Sequence, residues 1–290
     1  MPELPEVETT VKGLNSKVLD RTFVGIWTDT EKIIKKPGLN SFEREIKGKK
    51  VKKIWRKGKN IIFDLSDNYS LLVHQKMTGH LLYGEWKKVN NEWQPISKGP
   101  LEEKMNSFLH VIFFLDNGKM LALSDLRKFA KVELWKRDEL LSSAGFKKIG
   151  PEPLNEKFGY NEFKEVLKNK RGKIKQVLMD QEVIAGVGNI YSSEALWHAK
   201  VNPLKDVSDL TEKELKDIYN AIKKVLEIGI KLGGESFSDY RNINGEKGNF
   251  DDERKVYRRE GEKCSRCGSR IERLKIGGRS AFFCPVCQKL

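Results

Sequence analysis

The sequence predicts an α+β protein with a β-rich N-terminal half, a helical second half and a small metal-binding end. Short runs rich in β-branched and aromatic residues occupy residues 22–135. Patterns of helical period replace them after Gly150-Pro151-Glu152-Pro153, a rigid run typical of a domain boundary. All four cysteines lie within the last 27 residues. These three changes along the chain predict separate β, α and metal-binding parts.

The first element is predicted to be an amphipathic helix over residues 5–19. Val7, Val11, Leu14 and Val18 recur at helical spacing and leave the opposite face polar. Proline in the first turn, followed by acidic residues near the positive end of the helix dipole, is typical of a helix start.

Strands are predicted next, and a long polar excursion interrupts them. The β-rich runs cover residues 22–27, 53–65, 69–73 and 108–115. Asn117-Gly118 predicts a hairpin turn. Residues 84–106 are polar and contain Trp86 and Trp93, and their sequence assigns no role to them.

The second half is predicted to be helical over residues 156–168, 173–179, 190–198 and 211–231. Thr211 and Glu214 form a capping box at the start of the last of these helices.

Composition favours an intracellular protein with a polyanionic partner. The chain has 290 residues and a formal net charge of +14, which indicates nucleic acid without distinguishing DNA from RNA. The longest apolar run, residues 111–115, is far shorter than the roughly 18 residues of a membrane span, and the first residues do not resemble a secretory signal. The thiols are therefore expected to stay reduced.

The cysteines predict one structural zinc site. Their spacing, Cys264-X2-Cys267-X16-Cys284-X2-Cys287, is that of two knuckles which together hold one tetrahedral ion. Four thiolates leave no position for a reactive water, so the zinc is structural. Two disulfides or four free thiols are the alternatives, and reducing conditions disfavour the disulfides.

The zinc-binding end is strongly basic. Residues 254–290 contain eleven Lys and Arg against three Glu. Gly277-Gly278 predicts a hairpin turn flanked by Arg273, Lys275 and Arg279. This turn is either a phosphate-binding surface or simply a solvated basic turn.

Pro2 is a candidate nucleophile. Removal of Met1 would leave a secondary amine, and an α-amino group is neutral more often than a lysine at pH 7. Glu3 and Glu6 could assist its chemistry. On physical grounds alone, a second interpretation is favoured, in which the prolines shape the helix entry and the glutamates complement its dipole.

Six blocks of sequence resemble the formamidopyrimidine-DNA glycosylases, bifunctional base-excision repair enzymes related to endonuclease VIII. They occur in the order found in that family and run nearly from end to end. The blocks are Pro2-Glu3-Leu4-Pro5-Glu6-Val7-Glu8, Lys57-Gly58-Lys59-Asn60, His74-Gln75-Lys76-Met77-Thr78-Gly79, Asp125-Leu126-Arg127-Lys128-Phe129, Gly150-Pro151-Glu152-Pro153 and Gly186-Val187-Gly188-Asn189-Ile190-Tyr191, followed by the zinc knuckles.

The resemblance implies a catalytic centre around the chain start. Pro2 would attack the deoxyribose C1′ and form an iminium linkage, followed by β,δ-elimination. Glu3 would act as general acid and base, and Glu6 would hold the terminus. Lys59 would bind phosphate beside the lesion, and Glu194 matches a further site glutamate.

The resemblance also implies DNA contacts. Met77, Arg127 and Phe129 match residues that fill the space left by an extruded base, although Met77 and Phe129 would otherwise be interpreted as core residues. Lys175, Asn189 and Arg279 match phosphate contacts, and Asn189 would begin a helix of a helix-two-turn-helix element. His74 matches a position near DNA, and a buried structural histidine is equally compatible with its sequence.

Two positions depart from common forms of the family. Ala130 stands where glycine is usual and disfavours positive φ, so the loop that carries Arg127 and Phe129 is expected to differ. The segment from Glu235 to about residue 250, here named the capping segment, matches the loop that closes over the extruded base. Ser238 stands there in place of lysine, which leaves open the preference between 8-oxoguanine and formamidopyrimidines.

The resemblance therefore implies a glycosylase and abasic-site lyase for oxidised purines in duplex DNA, with one structural zinc and no small-molecule cofactor. It would be a monomer in the cytoplasm, associated with the nucleoid and not with a membrane. Its expected parts are a catalytic helix and β-sandwich (1–135), a linker (136–155), a helix-two-turn-helix domain with the capping segment (156–253) and a zinc ribbon (254–290). An enzyme of the endonuclease VIII type for oxidised pyrimidines, or a noncatalytic zinc-ribbon binder of damaged nucleic acid, is the alternative.

Overall fold

The computed structural model describes residues 1–236 and 239–290. The chain divides into two compact units, and each combines two stretches of sequence. The first unit contains Met1–Lys147 and Leu232–Asp251, and the second contains Lys148–Lys231 and Asp252–Leu290. The capping segment thus belongs to the first unit, whereas the sequence division grouped it with the helical domain. Its hydrogen bonds to α1 and to the 84–106 excursion, described below, are the reason.

The first unit is a helix packed with two sheets. Helix α1 (Leu4–Lys17) confirms the predicted N-terminal helix. The strands and further helices are β1 (Phe23–Thr28), β2 (Ile34–Lys36), α2 (Leu39–Ile46), β3 (Val51–Lys57), β4 (Asn60–Leu65), β5 (Tyr69–His74), β6 (His80–Gly84), β7 (Trp86–Val89), β8 (Glu92–Pro95), β9 (Leu109–Leu115), β10 (Met120–Ser124), β11 (Lys131–Lys136), α3 (Arg137–Ser142) and α4 (Ala144–Lys147). A sheet of four strands has the order β1-β9-β10-β6, and a sheet of five has the order β2-β11-β5-β4-β3.

One hydrophobic core joins α1 to both sheets. Val11 of α1, Phe113 of β9 and Phe63 of β4 all belong to it and are almost fully buried. The alternation of more buried and less buried residues along β11 is that of a strand with one face on this core. The arrangement confirms the expected α+β fold with a β-sandwich. The predicted run 53–65 is a hairpin of β3 and β4 that turns at Gly58, where φ is 56°.

The polar excursion at residues 84–106 is a small hairpin that covers the second face of the four-stranded sheet. Strands β7 and β8 pair with each other in a separate two-stranded sheet. Trp86 and Trp93 pack with Leu82, Ile112 and Phe114 in a cluster separate from the main core. The excursion therefore shields an apolar sheet face that would otherwise contact water.

The second unit is built on four helices. They confirm the predicted helical half, with ends that differ from the predicted ones by no more than four residues: α5 (Tyr160–Lys168), α6 (Ile174–Met179), α7 (Asn189–Ala199) and α8 (Glu212–Lys231). The Thr211 backbone N–H donates to the Glu214 carboxylate at 2.8 Å, and the Glu214 N–H donates to the Thr211 hydroxyl at 3.2 Å, which confirms the capping box. The C-terminal hairpin of β12 (Glu272–Ile276) and β13 (Arg279–Phe283) turns at the predicted glycine pair.

No helix in the described part of the chain is long and apolar enough to cross a membrane.

Candidate functional site

The start of α1 buries two carboxylates beside Pro2. Pro2 itself is buried, and Glu3 and Glu6 are only 2% and 1% exposed. Acidic side chains are seldom buried to this degree without hydrogen-bonding partners. The burial therefore marks these glutamates as more than helix-capping surface charges.

Glu6 ties the chain start to the capping segment. One carboxylate oxygen, Oε2, accepts the backbone N–H of Glu3 at 2.7 Å, and the other, Oε1, accepts the backbone N–H of Glu235 at 2.8 Å. Gly234 lies against the same side chain: its φ is 89°, and an added Cβ would lie 2.8 Å from Glu6. Glycine meets both demands at once, because it tolerates positive φ and leaves room for the carboxylate.

Tyr240 attaches the capping segment to α1 at a second point. Its hydroxyl donates to the Glu6 carbonyl at 3.0 Å, and its side chain is 5% exposed. Burial raises the pKa of the Tyr240 phenol, so it stays a neutral donor. A small cavity lies beside these groups, lined by Pro2, Glu6, Met77, Glu235 and Tyr240 together with Met1 and Asp239. Met77 is half-buried there, next to the candidate nucleophile.

Lys59 and His74 lie next to each other in the five-stranded sheet only through their elements: Lys59 directly precedes β4, and His74 ends β5, which pairs with β4. Lys59 is part of the Gly58 turn between β3 and β4 and is 6% exposed. His74 ends β5, and its Nδ1 accepts the backbone N–H of Lys76 at 3.0 Å. Burial, with further contributions from Lys76 and Lys59, lowers the pKa of His74 to about 3. The imidazole is therefore neutral at pH 7, with Nδ1 used within the turn.

A buried carboxylate builds the loop that carries Arg127 and Phe129. Asp125 is fully buried, and its Oδ2 accepts the backbone N–H groups of Phe129 and Ala130, each at 2.7 Å. Its Oδ1 accepts the Thr78 hydroxyl, and Thr78 Oγ1 in turn accepts the backbone N–H of Arg127 at 3.1 Å. This cradle links the loop to the block that contains Met77.

The cradle presents Arg127 and Phe129 to solvent as a stacked pair. Phe129 is 50% exposed, and the Arg127 guanidinium carbon lies 4.6 Å from the centre of its ring. Positive φ occurs at Lys128, at 57°, and not at Ala130. Alanine is therefore compatible with this loop. Ser238, the other departure, lies outside the described residues.

In the second unit, Lys175 is fully buried rather than exposed to a phosphate. Its ammonium donates to the Asn189 carbonyl at 2.7 Å and to the hydroxyls of Ser192 and Ser193 at 2.8 and 2.7 Å. These contacts place a positive charge behind the first turn of α7. A direct phosphate contact by Lys175 would require the ammonium to leave these acceptors.

Asn189 begins α7, after a turn that Gln181 organises. The Gln181 side chain donates to the Val187 carbonyl at 2.7 Å and accepts the Gly186 backbone N–H at 2.9 Å. Gly186 has a φ of 85°. The turn leads directly into the N-terminal end of α7, which carries partial positive charge and is suited to binding an anion.

Glu194 connects α7 to the segment that leads into the zinc ribbon. It is 1% exposed, and its carboxylate accepts the backbone N–H groups of Lys255, Val256 and Tyr257 at 2.8 to 3.0 Å. Burial raises the pKa of Glu194, while these three hydrogen bonds act in the opposite direction. Within its own unit, the carboxylate serves to position the zinc-binding end.

The four cysteines fit one tetrahedral zinc ion. Their Sγ atoms all lie within 4.8 Å of one another, and none forms a disulfide. Zn–S bonds of about 2.3 Å place tetrahedral sulfurs about 3.8 Å apart, so only small adjustments would be needed. Gln288 docks this site on the end of α7, because its side chain donates to the Val201 carbonyl at 2.9 Å and accepts the Cys284 N–H at 2.9 Å.

The zinc hairpin approaches α6 closely and exposes Arg279. A Cβ added to Gly277 would lie 2.1 Å from the Gln176 side chain, so the turn requires glycine for space as well as for its φ of 54°. Arg279 directly follows the glycine pair and is exposed. It is therefore available to a phosphate on the surface of the second unit.

Three organising side chains are not predicted from the sequence. Asp125 lies in one of the six blocks that resemble the family, but neither that block nor the local sequence assigns a role to Asp125, Gln181 or Tyr240. A polar residue just after a strand or just before a glycine-rich turn is a general signal for such backbone binding, and it applies to Asp125 and Gln181. Tyr240 gives no such local signal.

Comparison with known families matches most of the chain. The formamidopyrimidine-DNA glycosylase N-terminal domain matches residues 1–132, and the H2TH domain of the same glycosylase matches residues 149–241. A zinc finger found in FPG and IleRS matches residues 261–290. Two similar curated proteins are formamidopyrimidine-DNA glycosylases: that of Pelotomaculum thermopropionicum is 39% identical over 100% of both chains, and that of Desulforamulus reducens is 38% identical over 100% of this chain and 99% of its own.

Two similar solved structures are protein–DNA complexes. Lactococcus lactis Fpg in complex with DNA containing an abasic site is 35% identical, with a TM-score of 0.87 and coverage of 99% of this chain and 100% of its own. MutM in complex with DNA containing carbocyclic 8-oxo-G is 34% identical, with a TM-score of 0.86 and full coverage of both chains.

Proposed function

This chain belongs to the formamidopyrimidine-DNA glycosylase family, and on that basis we propose that it excises formamidopyrimidines and 8-oxoguanine from duplex DNA and then cuts the strand. The two buried glutamates beside Pro2 carry the proposal. Glu6 in particular joins the chain start to the capping segment through the N–H groups of Glu3 and Glu235. Such an arrangement would position both the nucleophile and the segment that covers the base.

Pro2 is the proposed nucleophile once Met1 has been removed. The lone pair of its ring nitrogen bonds to the deoxyribose C1′, and the glycosidic C1′–N bond breaks as the base leaves with the bonding electrons. The proline nitrogen then loses its proton, the ring oxygen takes up a proton as the C1′–O4′ bond breaks, and the opened sugar is left as an iminium ion between Pro2 and C1′. Burial of Pro2 favours the neutral amine that this attack needs, whereas the nearby carboxylates favour the protonated form.

Glu3 is the proposed general acid and base. It adjoins Pro2 in the chain, so its carboxyl can reach the sugar ring oxygen and C2′ when C1′ is bonded to the proline nitrogen. Removal of a C2′ proton from the iminium expels the 3′ phosphate by β-elimination. A second proton loss then expels the 5′ phosphate by δ-elimination, and hydrolysis of the iminium frees Pro2.

DNA binding is proposed to depend on positively charged groups that contact phosphates and on side chains that enter the space left by the extruded base. In the first unit, Lys59 would contact phosphate next to the lesion, while Arg127 and Phe129 would fill the space left by the extruded base. Phe129 is half exposed on a loop fixed by Asp125, as a wedge requires. In the second unit, Asn189 at the start of α7 and Arg279 on the zinc hairpin would contact further phosphates.

Zinc is proposed to act through structure alone. It would hold the hairpin that displays Arg279, with no role in the bond-breaking steps, because four cysteine ligands leave no open position. We further propose that the enzyme acts as a monomer, since one chain supplies every residue assigned above. Its proposed location is the cytoplasm, where cysteine thiols stay reduced and can bind zinc. Light scattering of the complex with DNA should therefore give one chain of 33.4 kDa per duplex.

Borohydride trapping tests the proposed chemistry. Reduction of the iminium by borohydride should give a stable adduct between the protein and a duplex that contains 8-oxoguanine opposite cytosine. Peptide mapping should locate the adduct on Pro2. Pro2→Gly should reduce trapping strongly, and a form that keeps an N-terminal tag ahead of Pro2 should abolish it although the proline ring is present.

Other outcomes identify the alternatives. Trapping on thymine glycol in preference to 8-oxoguanine would indicate an enzyme of the endonuclease VIII type. Tight binding with intact strands and no adduct would indicate a noncatalytic binder of damaged DNA. An adduct on an internal lysine would contradict the role of Pro2.

A further inference from the structure

We propose that Glu103 and Asn106, at the end of the 84–106 excursion, are positioning residues that hold the capping segment in place for base excision. This rests on the proposed function, in which that segment covers an extruded base. Neither residue belongs to the proposed chemistry or to the proposed DNA contacts. Their effect would pass through the backbone of residues 240–246.

Glu103 binds the capping segment through Arg241. The Arg241 Nε donates to Glu103 Oε2 at 2.6 Å, and a second guanidinium nitrogen donates to Glu103 Oε1, so the pair is bidentate. Arg241 is 2% exposed, and its Nη1 also donates to the Tyr240 carbonyl at 2.7 Å. The guanidinium therefore joins the excursion to the residue whose hydroxyl binds α1.

Asn106 binds the same segment at Gly245. Its Nδ2 donates to the Gly245 carbonyl at 3.0 Å and to the Pro100 carbonyl at 2.7 Å, and its Oδ1 accepts from His80 Nε2 at 2.9 Å. A Cβ added to Gly245 would lie 2.7 Å from Asn106 Nδ2, so this contact is as close as a glycine permits. Asn106 is 1% exposed, and its bonds to Gly245 and His80 are shielded from water.

The excursion that carries Glu103 and Asn106 is itself packed on the four-stranded sheet. Trp86, Trp93 and Leu101 pack against the outer face of the four-stranded sheet and hold the excursion independently of the capping segment. The capping segment is thus attached to α1 by Glu6 and Tyr240, and to the excursion by Arg241 and Gly245. Groups that are held at several points are preorganised, and small displacements of such groups strongly reduce reaction rates.

Loss of the Glu103 carboxylate should release one attachment without dismantling the unit. Arg241 would lose the partner that compensates its buried charge, and its backbone would shift to expose the guanidinium. The capping segment matters when an intact base must be held, whereas a preformed abasic site has no base to cover. A positioning role therefore predicts a defect confined to base excision.

The experiment compares two substrates under single-turnover conditions. For Glu103→Ala, excision of 8-oxoguanine should slow at least tenfold, while cleavage at a preformed abasic site should stay within twofold of the wild-type rate. Glu102→Ala is the matched control, since Glu102 is exposed and its carboxylate accepts the Gly99 N–H within the excursion. Affinity for an uncleavable abasic analogue should be unchanged in both variants.

Arg241→Ala should reproduce the defect, and the double variant should be no slower than the slower single variant, because both remove the same pair. If Glu103→Ala cannot be purified, Glu103→Gln gives the same test, since the amide keeps the shape and loses the charge and one acceptor. Equal slowing on both substrates, or no slowing on either, would overturn the proposal. Absence of 8-oxoguanine excision by the wild-type protein would instead contradict the proposed function.

Discussion

The carboxylate of Glu6 accepts a hydrogen bond of 2.8 Å from the backbone N–H of Glu235, 229 residues away along the chain. The same carboxylate binds the N–H of Glu3 through its other oxygen. The position of the candidate nucleophile and the start of the capping segment are therefore set by one side chain.

Glu6→Gln should weaken excision because an amide has only one acceptor oxygen for two N–H donors. One of the two bonds would be replaced by an unfavourable contact between donors, and a loss of about 1.4 kcal/mol corresponds to a roughly tenfold slower reaction. Single-turnover excision and borohydride trapping would measure it. Glu43→Gln, an exposed change on α2, is the control and should leave both rates unchanged. Wild-type rates in Glu6→Gln would show that the two bonds do not matter for the chemistry.

Asp125→Asn should lower both stability and affinity for damaged DNA. The amide nitrogen would face the N–H of Phe129 and Ala130 or the Thr78 hydroxyl, so the buried cradle would lose acceptors, at a cost of about 2 kcal/mol in the free energy of unfolding. Urea unfolding would measure the stability, and binding to an abasic analogue the affinity. Asp116→Asn, at an exposed position after β9, should change neither.

Phe129→Ala should lower affinity for damaged DNA with little change in stability. The side chain is half exposed, so the free energy of unfolding should change by less than about 0.5 kcal/mol. Stacking on a base is worth about 1–3 kcal/mol, and affinity for the abasic analogue should fall at least fivefold. A large loss of stability in this variant would instead indicate that Phe129 is part of the core.

His80 should make stability fall on acidification. Burial lowers its pKa to about 4 from an ordinary 6.5, while hydrogen bonds to Asn106 and Thr78 and the charge of Asp125 raise it and Arg241 lowers it. Between these two values the unfolded chain binds more protons, so stability decreases as the pH falls below 6.5, by about 2 kcal/mol at pH 5.

Urea unfolding at pH 7 and pH 5 would measure this loss. His74 and His198 also have lowered pKa values, of about 3 and about 4, so the wild-type protein should lose more stability than His80 alone explains. His80→Gln should lose less stability between these pH values than the wild type. Equal losses in both proteins would exclude a contribution from His80.

Removal of zinc should abolish DNA binding because it disrupts the hairpin of the second unit. One zinc per chain is expected from elemental analysis, because one cluster of four cysteines occurs among the described residues. A chelator should unfold the hairpin that carries Arg279 and lower the thermal midpoint, since metal binding and folding of such sites are coupled. Zinc added back should restore both. Full DNA affinity in the metal-free protein would contradict the supporting role of the ribbon.

Local patterns determined much of this protein from sequence alone. The spacing of Val7, Val11 and Leu14 predicted α1, and Asn117-Gly118 predicted the turn between β9 and β10. Cysteine spacing predicted the metal cluster. These features depend on residues close together in the chain, where helical period, turn geometry and ligand spacing leave few alternatives.

Tertiary structure alone decided how distant side chains are used. The pairing of Glu103 with Arg241, 138 residues apart, has no counterpart in any local pattern. The family resemblance implied a phosphate contact for Lys175, but its helix packs on α7 and places the ammonium among buried acceptors. Charge and residue type show what a side chain can bind, whereas the closing of the chain around it determines which partners are within reach and whether water can compete for them.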